Sequence, residues 1–155
     1  MKLTCPVFED GGEIPARYAA DNSKEPPPLE IHSPPEEAKS LALILEDIDS
    51  PIGPLTHWIV WNVPPRAGRV DPSPSGGTRT GLNSFGVTGY TGPAPPAGRH
   101  HFRIHLLALD NLLDATEGEL RQHVEREMEG HIVDRACLTG YLEAPGNETD
   151  DNDAG

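Results

Sequence analysis

Proline has no backbone N–H to donate and breaks helix interiors, and this chain carries 17 prolines and 16 glycines among its 155 residues. A helix bundle is disfavoured at that density, and short strands joined by many turns are favoured. The length corresponds to one domain, large enough to bury about two-thirds of the unfolded surface. No repeat of solenoid or propeller length is evident in the sequence. A proline-rich stretch, including Pro26-Pro27-Pro28, runs up to Pro35 and reads as covering loop with one edge strand near Leu29 to His32.

Between these breaks lie a few apolar runs with strand periodicity. Leu3 to Phe8 reads as a short strand. Ser40 to Asp47 carries Leu41, Leu43 and Leu45 on one side and Ala42 and Ile44 on the other, so it belongs inside the protein. Thr56 to Val63 follows, ended by Pro64-Pro65, and residues 66–84 read as a long exposed loop. Arg99 to Leu109 is a third long strand, and Ile132 to Leu142 a last one. One amphipathic helix is expected at about Glu117 to Glu129. Thr116 and Glu119 offer a capping box, Leu120, Val124 and Met128 form a stripe, and Gly130 can stop it. Residues 1–146 form the domain, and 147–155 an acidic, frayed tail. The sum is an all-β fold with one helix against it.

Twelve Lys and Arg against 25 Asp and Glu give a net charge of −13, which repels phosphate backbones, so no nucleic-acid partner is expected. Three lysines against nine arginines with this much acid would also suit a high-salt cytoplasm. No apolar run is long enough to span a bilayer, so no integral membrane association is expected. None follows Lys2 as in a signal peptide, and a cytoplasmic location is the expectation. Cys5 and Cys137 match no disulfide or metal pattern and read as buried, reduced thiols.

Side-chain phase singles out three polar residues. Asp47 is in step with Leu41, Leu43 and Leu45; His57 with Ile59 and Trp61; His100 with Phe102 and Ile104. Each is the polar end of an apolar row. A short connection joins the strands of Asp47 and His57, so antiparallel pairing would bring these two together at one rim, where His100 can join them. One carboxylate and two imidazoles in apolar walls make a small anion pocket, with both histidines as donors and Asp47 favouring the charged form of one. The stretch Gly89-Tyr90-Thr91-Gly92-Pro93-Ala94-Pro95-Pro96-Ala97-Gly98 leads into His100 and reads as a stiff wall that presents backbone N–H groups.

These segments resemble the phosphatidylethanolamine-binding protein family. Leu43-Ile44-Leu45-Glu46-Asp47-Ile48-Asp49-Ser50-Pro51 is similar to its D-P-D-A-P signature, and Thr56-His57-Trp58-Ile59-Val60-Trp61-Asn62-Val63-Pro64 to its T-H-W strand. Gly89 to Gly98 followed by His100-His101-Phe102 resembles its glycine–proline loop and histidine segment. The opening Met1 to Tyr18, the helix and the final strand look like the bacterial and archaeal Raf-kinase-inhibitor-like branch, so the resemblance covers nearly the whole chain. It implies a β-sandwich of two antiparallel sheets with a small anion-binding pocket at one end. Its pocket residues would be Asp47, Asp49, His57 and His100, with Gly92 and Pro93 on the wall. The chain departs from the pattern at Ile48 (proline in the signature), Ser50 (alanine) and His101-Phe102 (Arg-Tyr).

The resulting expectation is a non-enzymatic binding protein for a small anionic or phosphate-containing ligand, such as a phospholipid head group or phosphorylated ligand, with no cofactor. The alternative is an inhibitor of a kinase or serine protease acting through surface contacts. The resemblance also implies a homodimer. Catalysis ranks below both, because the serines near the histidines lack a G-x-S-x-G elbow. A zinc site from His57, His100, Asp47 and Asp49 would require Asp49 to bend back toward Asp47. No catalytic and no metal-binding residue is therefore assigned.

Overall fold

The computed structural model describes residues 1–18, 25–71, 73, 76–93 and 98–143. The acidic tail and Ala94 to Ala97 of the wall lie outside the described residues. The elements run β1 (Lys2–Thr4), β2 (Gly12–Glu13), a 3₁₀ turn (Ala16–Tyr18), β3 (Glu30–His32), β4 (Ser40–Asp47), β5 (Leu55–Val63), β6 (Gly68–Arg69), β7 (Arg79–Thr80), β8 (Arg99–Leu109), α1 (Arg121–Met128) and β9 (Ile132–Glu143). Two sheets form, a small one in the order β1-β3-β6 and a large one in the order β2-β9-β8-β4-β5-β7.

Strand β4 is buried along its whole length because it faces two cores. Leu41, Leu43 and Leu45, with Trp58, Val60, Phe102, Ile104 and Leu138, meet Leu3 and Ile31 of the small sheet and form the sandwich interior. Ala42 and Ile44, with Ile59, Trp61, Leu107 and Leu109, meet Val124 and Met128 of α1 on the other side. The internal strand is as the periodicity predicts, and the sandwich as the resemblance implies.

Several details differ from the sequence reading. The pairing is not antiparallel throughout, since β2 runs parallel to β9. The proline-flanked strand at 30–32 is no edge; it pairs with both β1 and β6, because none of its own residues is proline and its backbone donors are free to pair. The 66–84 stretch is not simply exposed loop. It contributes β6 and β7, and it buries Thr78 and Asn83. The helix is shorter than expected and has no side-chain N-cap. The Glu119 carboxylate instead accepts from the Leu120 N–H (3.0 Å) and pairs with His123 (2.8 Å). Leu120 is exposed, which leaves Val124 and Met128 to hold the helix down. Cys137 is exposed rather than buried, and both cysteines are free.

Candidate functional site

The site is built at the end of β4, where the alternation of β5 is broken. Leu45 pairs with Trp58, but the next residue, Glu46, pairs with Thr56, so His57 is an extra residue in a β-bulge. Without the bulge, His57 would share the α1 side with Ile59 and Trp61, away from Asp47. The bulge turns it to the sandwich side, where its ring meets Phe102 at 5.6 Å between centroids. Bulges re-aim a side chain at the cost of one unpaired ladder position. His57 thus comes to the sandwich side, near enough for the Asp47 charge to act on its ring, by a route that simple alternation does not contain.

Asp47, His57 and His100 are all buried polar residues. The His100 Nδ1–H donates to Asp47 Oδ2 at 2.8 Å, while Asp47 Oδ1 accepts the Asp49 N–H at 2.9 Å. One carboxylate therefore orients an imidazole and shapes the turn after β4. The His57 Nδ1–H donates to the Thr91 carbonyl at 2.7 Å, and the Thr91 N–H donates back to the His57 carbonyl at 3.0 Å. Both rings use Nδ1 for the protein. Among the described residues neither Nε2 has a partner.

Burial pushes the His57 pKa below the ordinary imidazole value; the hydrogen bond to Thr91 and the charge of Asp47 oppose this but do not outweigh it. The sequence reading made both histidines donors and had Asp47 favour the charged form of one. For His57 the structure favours the neutral ring.

Asp49 stands apart from the other three. Its side chain is largely exposed and accepts from the backbone N–H (2.8 Å) and Nδ1 (2.7 Å) of His101. Alternation along β8 sends His101 to the face opposite His100. The Ile48 N–H donates to the His101 carbonyl at 3.0 Å, a bond that the proline of the family signature could not make.

Gly92 and Pro93 are buried directly after Thr91, on the wall that His57 holds. That wall is anchored on its other side by Tyr90, whose hydroxyl donates to the Tyr18 carbonyl at 3.0 Å and whose ring meets Trp58 edge-on. Burial pushes the Tyr90 phenol well above its ordinary pKa, so it stays a donor.

Two further residues shape the site that sequence reasoning missed. Asn83 Nδ2 donates to the Gly89 carbonyl (3.1 Å), to Thr91 Oγ1 (2.9 Å) and, more weakly, to the His57 carbonyl (3.4 Å). Its Oδ1 accepts the backbone N–H groups of Phe85 (2.9 Å) and Val87 (3.1 Å). One amide thus ties the bulged strand, the wall and the 84–88 turn together. The turn presents Phe85, whose ring lies 4.8 Å from that of His57 and shields it while staying half exposed. Gly81 lets this segment come close to β5, because a Cβ there would stand 2.8 Å from Ile59. The signal available was Asn83-Ser84-Phe85-Gly86, an Asn-led turn with an aromatic at its tip.

The chain is thus a two-sheet sandwich with a carboxylate–imidazole cluster at one end of its large sheet. Residues 4–143 match the family model described as phosphatidylethanolamine-binding protein, and the chain belongs to that family. It is 40% identical over 147 residues to a UPF0098 protein of Methanothermobacter thermautotrophicus, covering 90% of this chain and 97% of that one. A UPF0098 protein of Pyrococcus abyssi is 39% identical, with 88% of this chain and 82% of the relative covered. Among solved structures, a phosphatidylethanolamine-binding protein homologue from Chlamydia trachomatis superposes with a TM-score of 0.85 at 36% identity, over 92% of this chain and 96% of its own. E. coli YbcL, at 24% identity and a TM-score of 0.82 over 92% and 97% of the two chains, shares the fold. No helix among the described residues is long and apolar enough to cross a membrane.

Proposed function

We propose that this chain is a non-enzymatic binding protein that holds a small oxyanion, phosphate or a phosphate-bearing group, between His57 and His100. The observation that carries the reading is the pair of buried imidazoles, each with Nδ1 engaged by the protein and Nε2 left without a partner among the described residues. Such rings are oriented in advance, so a ligand need not order them on binding. Phe102 and Phe85 supply apolar walls around a few polar groups, the usual make-up of a small-ligand site. Asp47 positions His100, and Gly92 and Pro93 form the wall beside His57. Asp49 acts from outside, by fixing His101 and through it the end of β8.

The test is calorimetric titration of inorganic phosphate into the parent protein and the variants His57→Ala and His100→Ala. Each variant should lose about ten- to a hundredfold in affinity, the size of one charge-assisted hydrogen bond. Equal affinity in all three proteins would remove the site. It would favour the alternative, regulation of a kinase or serine protease through surface contacts.

A further inference from the structure

The hydrogen-bond geometry at His57 makes a statement about the ligand that is finer than its charge. A carbonyl oxygen only accepts, so the 2.7 Å contact to Thr91 requires the proton of a neutral His57 ring to sit on Nδ1. Nε2 then presents a lone pair. The residue is 3% exposed, its ring touches those of Phe85 and Phe102, and the amide of Asn83 binds its backbone carbonyl. Water therefore does little to stabilise a second proton, and the one carboxylate acting on the ring, Asp47, is already engaged by His100 and the Asp49 N–H. His100 differs in its partner: its Nδ1 donates to that carboxylate, so a proton taken up on its Nε2 together with the anion has a countercharge beside it. One ring nitrogen of the site is thus an acceptor, and the other becomes a donor once the ligand is bound.

From this we infer that the site selects a tetrahedral oxyanion that still carries a proton. Hydrogen phosphate, or a phosphate monoester in its singly charged, protonated form, fits, and sulfate or a phosphodiester does not. The P–OH group donates to Nε2 of His57 while an anionic oxygen accepts from His100. Sulfate has the same shape, and the same charge as hydrogen phosphate at neutral pH, but no proton to give, so its oxygen would face the His57 lone pair. A site built around one hydrogen bond rejects the analogue that cannot make it far more strongly than shape alone would. This inference rests on the anion reading above, and it separates a free phosphate or monoester from a diester lipid head group as the ligand source.

The experiment is titration at pH 7 of four probes, inorganic phosphate, methyl phosphate, sulfate and dimethyl phosphate, with long-range ¹H–¹⁵N spectra of the histidines of the free protein. At pH 7 phosphate should bind at least tenfold more tightly than sulfate and dimethyl phosphate. Methyl phosphate, mostly the proton-free dianion there, should gain on sulfate when the titration is repeated at pH 6, where more of it carries a proton. The free protein should show His57 protonated on Nδ1 alone. Two variants should erode the discrimination, each by raising sulfate affinity relative to phosphate: Phe85→Ala, which lets water reach the ring, and His57→Gln, whose amide can donate as well as accept. Phe85 is 47% exposed, so its removal leaves the cores intact. Equal affinity for phosphate and sulfate would overturn this inference and leave the anion site standing. So would a His57 ring bearing a proton on Nε2, whatever binds. Failure of all four probes would overturn the site itself and the selectivity with it.

Discussion

The amide of Asn83 joins three pieces of chain that meet at His57, and all its polar atoms are used. Asn83→Ala would leave several of those partners unpaired in a nearly dry place, which should cost about 1–3 kcal/mol and weaken phosphate binding. Urea denaturation beside calorimetry checks both, and a variant as stable as the parent would remove Asn83 from this role. His57 carries a pH dependence of its own. Its pKa in the folded protein lies below the ordinary 6.5, so the unfolded chain binds the extra proton more readily. Its contribution to stability is complete above about pH 6.5 and is lost as the pH falls toward the folded value. The urea midpoint of the parent should therefore drop between pH 7.5 and pH 5 by more than that of His57→Gln; parallel curves would show that burial does not hold the ring neutral. At this scale the sequence was legible for Asp47 and His100, whose phase follows regular strands. It was misleading for His57, because a bulge is not visible in apolar periodicity. Asn83 and Phe85 were hidden inside a turn-rich stretch that composition marks as exposed.

Glu46 and Asp47 are consecutive on β4, and they serve opposite faces of the same sheet. Asp47 orients His100 on the sandwich side, while Glu46 binds Arg121 (2.7 Å) and His105 (2.6 Å) on the side of α1. Arg121, in the first turn of α1, also donates to Thr56 Oγ1 at 2.9 Å, so the helix start is tied to both β4 and β5 beside the bulge. This explains why the expected capping box is unnecessary. The helix is located by an ion pair to the sheet and by Val124 and Met128, and neither tie can be read from a local capping pattern. Hydrogen bonding to His105, with Arg121 beside it, pulls the Glu46 pKa from 4.5 down to about 2 against the opposing effect of burial. The corresponding stability is present above about pH 4.5 and is lost as the pH falls toward 2; it amounts to at most about 3 kcal/mol. Glu46→Gln should reproduce most of that loss at neutral pH, because it strands a half-buried guanidinium. It should also flatten the unfolding curve between pH 4.5 and 2. An unaltered acid limb would show that other carboxylates carry the acid sensitivity.

Across the whole molecule, the internal strand was legible because β4 is apolar on both sides, and its neighbour because β8 alternates from Arg99 to Leu106, while the division into two sheets came from the resemblance. Sequence order does not reveal which short segments pair, so the parallel β2 and the central place of β3 emerged only from the structure. Charge was legible from composition, and its consequence is global. The net charge of −13 means that acidic side chains outnumber their partners, and four of the ion pairs among the described residues are exposed on both sides. Exposed pairs contribute little each, typically about 0–1 kcal/mol, and salt weakens them. Repulsion among the surplus carboxylates opposes the compact state and is also screened, as the Debye length falls from about 30 Å at 0.01 M salt to about 3 Å at 1 M. With so large an excess of one sign, relief of repulsion should exceed the loss of surface pairs. Raising potassium chloride from 0.01 M to 1 M should therefore increase Tm, by about 2–4 °C for each 1 kcal/mol of repulsion removed in a chain of this size. Thermal melts followed by circular dichroism at a fixed pH of 7.5 measure this without protonating His57. A Tm that falls with salt would mean that the ion pairs, the Glu46–Arg121 tie foremost, outweigh the net charge in holding the fold.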